Sequence, residues 1–382
     1  MPINKSDITF ICSGRIFHHG PFSTLNCLKA VKKYFPQSPL ILTTWKGENI
    51  NNLRPYCDKI ILTKLPPMPY STCLKSCSWY PKPNSYDLQQ KCVSAGLKKC
   101  QTRYAVRLRT DFVLQNDTFL SNYQTYLAAF PSRLPSYSLF QEKVLIYSLG
   151  TISPYTKDLP LIHHPSELFH FGLTSDLQKL WCNNKMPSKI ATYFSNPSPK
   201  YPNPCLFNHR FTPEQWIWLS ALKAHNMAYR HPEYYLSLNA EMRAEQDKLF
   251  ISNFIILDTE NIGISSKFTT KLAPSRHRFY NDTLYLTAYR KFFTVTQENP
   301  LIRNLILQIK IKHNHHKINK SIRKLNKHFK YVFLPLKSVF RWVSHLFSTI
   351  YYSFKSALYI LWYFPQNTIL KLMQPSPKRS PD

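Results

Sequence analysis

The chain has 382 residues, 43% of them hydrophobic, which is enough for one large folded domain plus an appendage and excludes a disordered polyelectrolyte. Fifty Lys+Arg against 20 Asp+Glu give a formal net charge of +30, a balance that favours a polyanionic partner: nucleic acid, an anionic membrane surface or a phosphorylated substrate. With only 7 glycines and neither GxGxxG nor GxxxxGK[ST], the sequence argues against a Rossmann dinucleotide site and a P-loop.

The start, MPINKSD, has no secretory leader pattern and runs straight into a β-rich stretch, Ile8 to Cys12, ended by Ser13-Gly14. Thr24 to Tyr34 has helical spacing, with Leu25, Leu28 and Val31 on one face, and is stopped by Pro36 and Pro39. Leu40 to Trp45 and Lys59 to Leu62 read as a second and a third strand. A Pro-rich loop follows from Leu65 to Pro83, then a helix from Asp87 to Cys100, then a strand from Tyr104 to Leu108 leading to Arg109-Thr110-Asp111. Continuous apolar strands separated by helices predict an α/β fold, a mainly parallel central sheet flanked by helices. Ligands of such sheets bind beyond the carboxyl ends of the strands, here Ser13 to Arg15, Thr44 to Lys46 and Arg109 to Asp111.

Further on, Phe169 to Leu173 reads as a strand or turn, Ser175 to Trp181 as a short helix and Tyr193 to Phe207 as a Pro/Asn-rich loop. Thr212 is a plausible N-cap for a helix with Pro213 in its first position and Trp216, Leu219 and Leu222 on one face. No linker interrupts residues 1–300, which are read as one domain, and 301–382 as a basic amphipathic helical extension. From Leu301 to Asp382 there are 15 Lys+Arg and one acid, about half of the net charge. Ile318, Ile322, Leu325 and Phe329 make one apolar stripe among lysines. After Pro335 a polar face of Lys337, Arg341, His345, Ser348, Tyr352 and Lys355 opposes Phe340, Val343, Phe347, Ile350, Phe354, Leu358 and Leu361. That is the pattern of a helix lying in an anionic membrane interface through 310–364; a span over Trp342 to Phe364 would place Lys355 in hydrocarbon, at about 2.5–3.5 kcal/mol if central. Because basic residues concentrate in this extension, no nucleic acid partner is expected.

The nine cysteines form no CxxC pair and most read as buried thiols of a reducing compartment; Cys73 and Cys77, the one close pair, fit an ordinary loop better than a disulfide or half a metal site. Asp111 has two readings: a salt bridge to Arg107 or Arg109, or a carboxylate holding a divalent cation (Mn²⁺ or Mg²⁺) that bridges a diphosphate. Glu214 likewise reads as a helix-start acid or as a base that deprotonates a sugar hydroxyl. Glu167 and Asp176 flank FHFG as further candidates, and His163, His164 and His170 show no metal-ligand spacing.

ITFICSGRI, FPQSPLILTTWKG, YCDKIIL, SAGLKKC, AVRLRTDF, HPSELFHFGLTSDL and FTPEQWIWL follow one another in an order that resembles the WavE lipopolysaccharide synthesis family. The resemblance covers roughly residues 7–240 and is most specific in TTWKG, LRTDF and PEQWIW. It implies a GT-A-like glycosyltransferase, with R-T-D standing where other GT-A enzymes carry D-x-D. The implied activity moves a sugar from a nucleotide-sugar donor to a lipopolysaccharide or other glycan or lipid-linked glycan at the cytoplasmic membrane face. On this reading Ser13, Gly14, Arg15, Thr44, Trp45, Asp58 and Arg109 meet the donor, Asp111 meets metal or diphosphate, and Glu214 is the catalytic base. The chain departs from the family's Q-G-P-like first turn, reading Cys12-Ser13-Gly14-Arg15 and offering Arg15 as a phosphate contact instead. It departs again before SAGL, where Tyr86-Asp87-Leu88-Gln89-Gln90 replaces the family's Asn and Arg. The rival class is a non-enzymatic binder of anionic polymer or lipid.

Overall fold

The computed structural model describes residues 2–66, 85–183, 185–194, 209–272 and 278–294, and beyond them 302–303, 306–307, 311, 321, 343 and 345–354. Cys73, Cys77, most of the 65–83 and 193–207 loops and the stripe from Ile318 to Phe329 lie outside the described residues. The chain divides into two compact units, Met1–Thr294 and Val295–Asp382.

The first unit is built on seven strands: β1 (Ile8–Ser13), β2 (Leu40–Trp45), β3 (Lys59–Thr63), β4 (Tyr104–Arg109), β6 (Val144–Tyr147), β7 (Phe169–Leu173) and β8 (Phe254–Leu257). Their order across the sheet is β3-β2-β1-β4-β7-β6-β8. β1, β2, β3 and β4 run parallel, and β6 is parallel to β8. The FHFGL segment is the exception: β7 is antiparallel to both neighbours, so the sheet is mostly rather than wholly parallel. A two-stranded ribbon joins β5 (Val113–Leu114) to β9 (Ile264–Ser265). Strands β1 and β4 are buried almost throughout because helices cover both faces, and that is why they carry no polar alternation.

Helix α1 (Thr24–Tyr34) begins where the Ser23 hydroxyl accepts a hydrogen bond from the Asn26 N–H. Its Cys27, Leu28 and Val31 enter the main core, where Phe10, Phe35 and Phe119 pack ring on ring. Helix α2 (Tyr86–Leu97) lies against the other face, and Gly96 permits the contact: a Cβ there would come within 2.5 Å of Ile11 Cγ2. Helices α3 (Thr118–Ala129), α4 (Thr174–Trp181), the short α5 (Ser188–Ala191), α6 (Pro213–Ala224) and α7 (Ala240–Asn253) complete the shell. The predicted cap of α6 forms as a reciprocal box, Thr212 Oγ1 accepting from Gln215 N–H and Gln215 Oε1 from Thr212 N–H. The helix buries more than the expected face: Ile217, Trp218, Ser220 and Ala221 are covered as well, with Trp218 against Phe140 and Phe254.

In the second unit, residues 345–354 are helical, and Phe347, Ile350, Tyr351 and Phe354 are all more than half exposed. Among the described residues no helix is long and apolar enough to cross a membrane.

Candidate functional site: a crevice and a chamber joined at Arg109

Strand order reverses at β1, with β2 and β3 on one side and β4 on the other, so the chain opens a crevice at the carboxyl ends of β1 and β4. Ser13 and Arg109 are register partners at those ends. The turn after β1 is pressed onto the turn after β4. Gly14 adopts φ +132°, and a Cβ there would stand 3.2 Å from Thr110 Oγ1, whose hydroxyl donates to the Arg15 carbonyl at 2.5 Å. Around this junction Ser13, Gly14, Arg15, Trp45, Leu88, Gln89, Arg107, Arg109 and Asp111 line a cavity of about 210 Å³.

Strand alternation puts Arg107 and Arg109 on the same face of β4, while Val106 and Leu108 enter the core on the other. Two guanidiniums at that spacing need carboxylates, and the structure supplies them. Arg109 grips Asp111 with two bonds, Nε to Oδ1 at 2.9 Å and Nη2 to Oδ2 at 3.0 Å. Glu167 bridges both arginines, meeting Arg107 Nη1 at 3.1 Å and Arg109 Nη1 at 3.4 Å. Gln89 Oε1 accepts from Arg107 Nη2 at 3.4 Å, and the Arg107 guanidinium lies over the Trp181 ring at 5.2 Å. Behind it, Trp181 Nε1–H donates to His170 Nδ1, which fixes the His170 proton on Nε2, donating to the Ser166 carbonyl. Burial lowers Arg107 to about 10 despite Glu167, and burial also pushes His170 down to about 3, where the ring is neutral. For Arg109 burial is outweighed by Glu167 and Asp111, which raise it above the ordinary guanidinium value.

A second, larger chamber of about 370 Å³ shares Ser85 and Arg109 with the first and is lined further by Glu167, His164, His209, Glu214 and Arg278. Glu214 sits in the first turn of α6, but the capping work there is done by Thr212 and Gln215, so its carboxylate is left to face the chamber. Glu214 Oε2 lies 3.5 Å from His164 Nε2, and His164 Nδ1 is 2.9 Å from the Gly150 carbonyl. Burial alone would raise the Glu214 carboxyl; the hydrogen bond and charge of His164 reverse this and hold it well below the usual carboxylate range.

Of the residues singled out in the sequence, Ser13, Gly14, Arg15, Trp45, Arg109 and Asp111 thus share one cavity, and Glu214 and Glu167 line its neighbour. Thr44 is buried beneath the crevice without lining it. Asp58 must be reassigned. It stands at the amino end of β3, bonded to Lys32 Nζ and Leu40 N–H at 2.7 Å each, on the edge of the sheet opposite the crevice. Asp176 is structural too: it is fully buried and accepts the backbone N–H groups of Gln141 and Glu142 at 2.8 Å. Among the described residues no group of three His, Cys, Asp or Glu gathers as a metal-binding cluster would. Arg278 and His209 were missed by the sequence reading, since nothing in their local segments distinguishes them.

The WavE lipopolysaccharide synthesis family matches residues 8–325, most of the chain, and the chain belongs to that family. No curated protein matches it. Among solved structures it is similar to the crystal structure of S. aureus TarS, at 11% identity and a TM-score of 0.30, over 63% of this chain and 38% of that one.

Proposed function

We propose that the chain is a glycosyltransferase that moves a sugar from a nucleotide-sugar donor to a lipopolysaccharide or other surface-glycan acceptor. The observation that carries this reading is the junction at Arg109: a cation-rich crevice at the switch point of the sheet shares that arginine with a chamber that holds an ionised carboxylate. Trp45 and Phe17 line the crevice as apolar surfaces for a nucleotide, and Arg15 and Arg109 meet its diphosphate. In the chamber the acceptor hydroxyl lies by Glu214. Its oxygen bonds to the anomeric carbon as the bond from that carbon to the diphosphate oxygen breaks, and the hydroxyl proton passes to Glu214. The charge that develops on the departing diphosphate is met by Arg109, whose position is fixed before reaction by Asp111 and Glu167. A single base facing the acceptor suits inversion at the anomeric carbon.

A divalent cation at Asp111 was the alternative source of that positive charge. Asp111 offers one carboxylate, and Arg109 already occupies both of its oxygens, with a second arginine close behind. An ion would have to share those oxygens with a guanidinium already bound to both, so the donor set does not fit one as it stands. We further propose that the second unit seats the enzyme on an anionic membrane surface at the cytoplasmic face. The exposed Phe347, Ile350 and Phe354, spaced three and four apart on one helix, support this. Transfer assays on a panel of nucleotide sugars with wild type, Arg109→Ala and Glu214→Gln test the reading, and full activity in both variants refutes it. Deleting 301–382 tests the rest: a truncated chain that still binds a nucleotide sugar but leaves anionic vesicles supports both parts, and loss of all ligand binding favours the non-enzymatic binder.

A further inference from the structure

Among the described residues, each carboxylate and each arginine that lines the chamber has a charged partner except one. Arg109 is matched by Asp111 and Glu167, and Glu214 by His164. Arg278 meets no carboxylate and no carbonyl among the described residues, and its Nε is buried without a hydrogen-bond partner. Its place is nonetheless fixed. The Arg278 carbonyl accepts from Ser153 N–H at 2.9 Å, Phe279 forms an antiparallel bridge with Ile152, and Tyr280 N–H donates to the Thr151 carbonyl at 2.7 Å. The backbone holds the side chain in a half-covered, largely apolar wall with Ile152, Leu159, Leu161 and Phe279, where its Nε is cut off from water and unpaired.

We infer that Arg278 is the recognition site for an anionic group on the acceptor, a phosphate or carboxylate borne by the sugar that enters the chamber. This rests on reading the chamber as the acceptor side of a glycosyltransferase. The donor's own diphosphate has Arg15 and Arg109 in the crevice, so a further unmatched cation that lines only the chamber serves a second anion. Arg278 pairs with that anion through its fork of N–H groups and so sets which acceptor hydroxyl is presented to Glu214.

The test measures equilibrium binding of glucose 6-phosphate, glucuronate and glucose to the full chain, with wild type, Arg278→Ala, Arg278→Lys and Arg15→Ala, and binding of inorganic pyrophosphate to the same proteins and to Arg109→Ala. Wild type and Arg15→Ala should prefer at least one charged sugar to glucose by about tenfold. Arg278→Ala should lose that preference, and Arg278→Lys should keep part of it. Whichever of phosphate and carboxylate shows the larger loss names the group. A preference that survives in Arg278→Ala, or no preference in wild type, overturns the inference. So does pyrophosphate binding weakened as much by Arg278→Ala as by Arg15→Ala, because Arg278 would then be a donor contact. Failure of the underlying reading has a different signature: pyrophosphate binding indifferent to both Arg15 and Arg109. Arg278→Lys keeps the charge, so a folding defect confined to the alanine variant leaves the sugar comparison readable.

Discussion

The crevice and the chamber meet at one arginine, yet they are charged in different ways. In the crevice the carboxylate serves the cation: Asp111 holds Arg109 beside the strand ends, and Glu167 ties Arg109 and Arg107 together from the chamber wall. In the chamber the roles invert, and a histidine holds a carboxylate. The first arrangement suits an anion that must be bound and then released with more charge than it arrived with. The second keeps a carboxylate ionised, in the form that accepts a proton as a hydroxyl is consumed. On the proposed reading, phosphate handling and acid–base chemistry are separated by a single shared side chain, and variants test that separation.

Arg109 belongs to both regions, so its loss has the largest expected effect. Arg109→Ala removes the proposed diphosphate contact and strands Asp111 and half of Glu167 as buried carboxylates without their partner, at about 3–5 kcal/mol for a broken buried pair. Transfer should fall by roughly four orders of magnitude with a clear drop in Tm, and Arg109→Lys should restore Tm more than rate because an ammonium cannot fork. Glu214→Gln strikes the chamber alone. Its kcat should fall about a thousandfold while donor affinity measured by calorimetry stays at the wild-type value. A joint loss of donor affinity would mean that the two regions are not separable.

Each region also leans on a buried histidine. His170 stands behind Arg107, and His163 precedes His164 in the chamber wall; burial lowers both from 6.5 to about 3. Their folded values lie below their unfolded ones, so between about pH 3 and 6.5 the unfolded chain binds more protons and stability rises with pH. Acidification from pH 8 to pH 5 should therefore cost about 3–4 kcal/mol for the two histidines together, read as a fall in the urea midpoint. Stability flat across that range would show that both rings protonate in the folded protein, and a fall of about half the size that one of them does.

How much of this was legible in the sequence follows the same division. β1 and β2 could be read because apolar runs end before Gly, α1 because a helical spacing is stopped by Pro36, and three strand ends named most of the crevice. β6 and β8, only four residues each, carry no periodicity that separates a short strand from a buried helix turn. Asp58 was misplaced although its position held the clue: it precedes its strand, and the residue before a strand lies on the amino edge, away from the ligand. At Glu214 the helix start was readable, but which residue caps it was not. Only the Thr212–Gln215 box shows that the carboxylate is free for other work. The chamber itself joins residues from 85 to 279, and no local pattern announces such a meeting.

The smaller effects sharpen the crevice. Arg15 is exposed and unmatched by any carboxylate among the described residues, so Arg15→Ala should weaken donor binding by about tenfold, more at low salt than at high, with no change in Tm.

The smallest expected effect is that of chelation, and it decides how the crevice supplies its charge. If Asp111 serves an ion, EDTA abolishes transfer and Mn²⁺ or Mg²⁺ restores it. If Asp111 serves Arg109, as the two bonds at 2.9 and 3.0 Å indicate, EDTA changes the rate by less than about twofold. Asp111→Asn sharpens the result. An amide still accepts one guanidinium N–H but carries no charge to fix the fork, so an arginine-based crevice should lose part of its rate, without gaining a metal dependence. A variant whose residual activity becomes responsive to Mn²⁺ would place the ion, not the arginine, at the diphosphate.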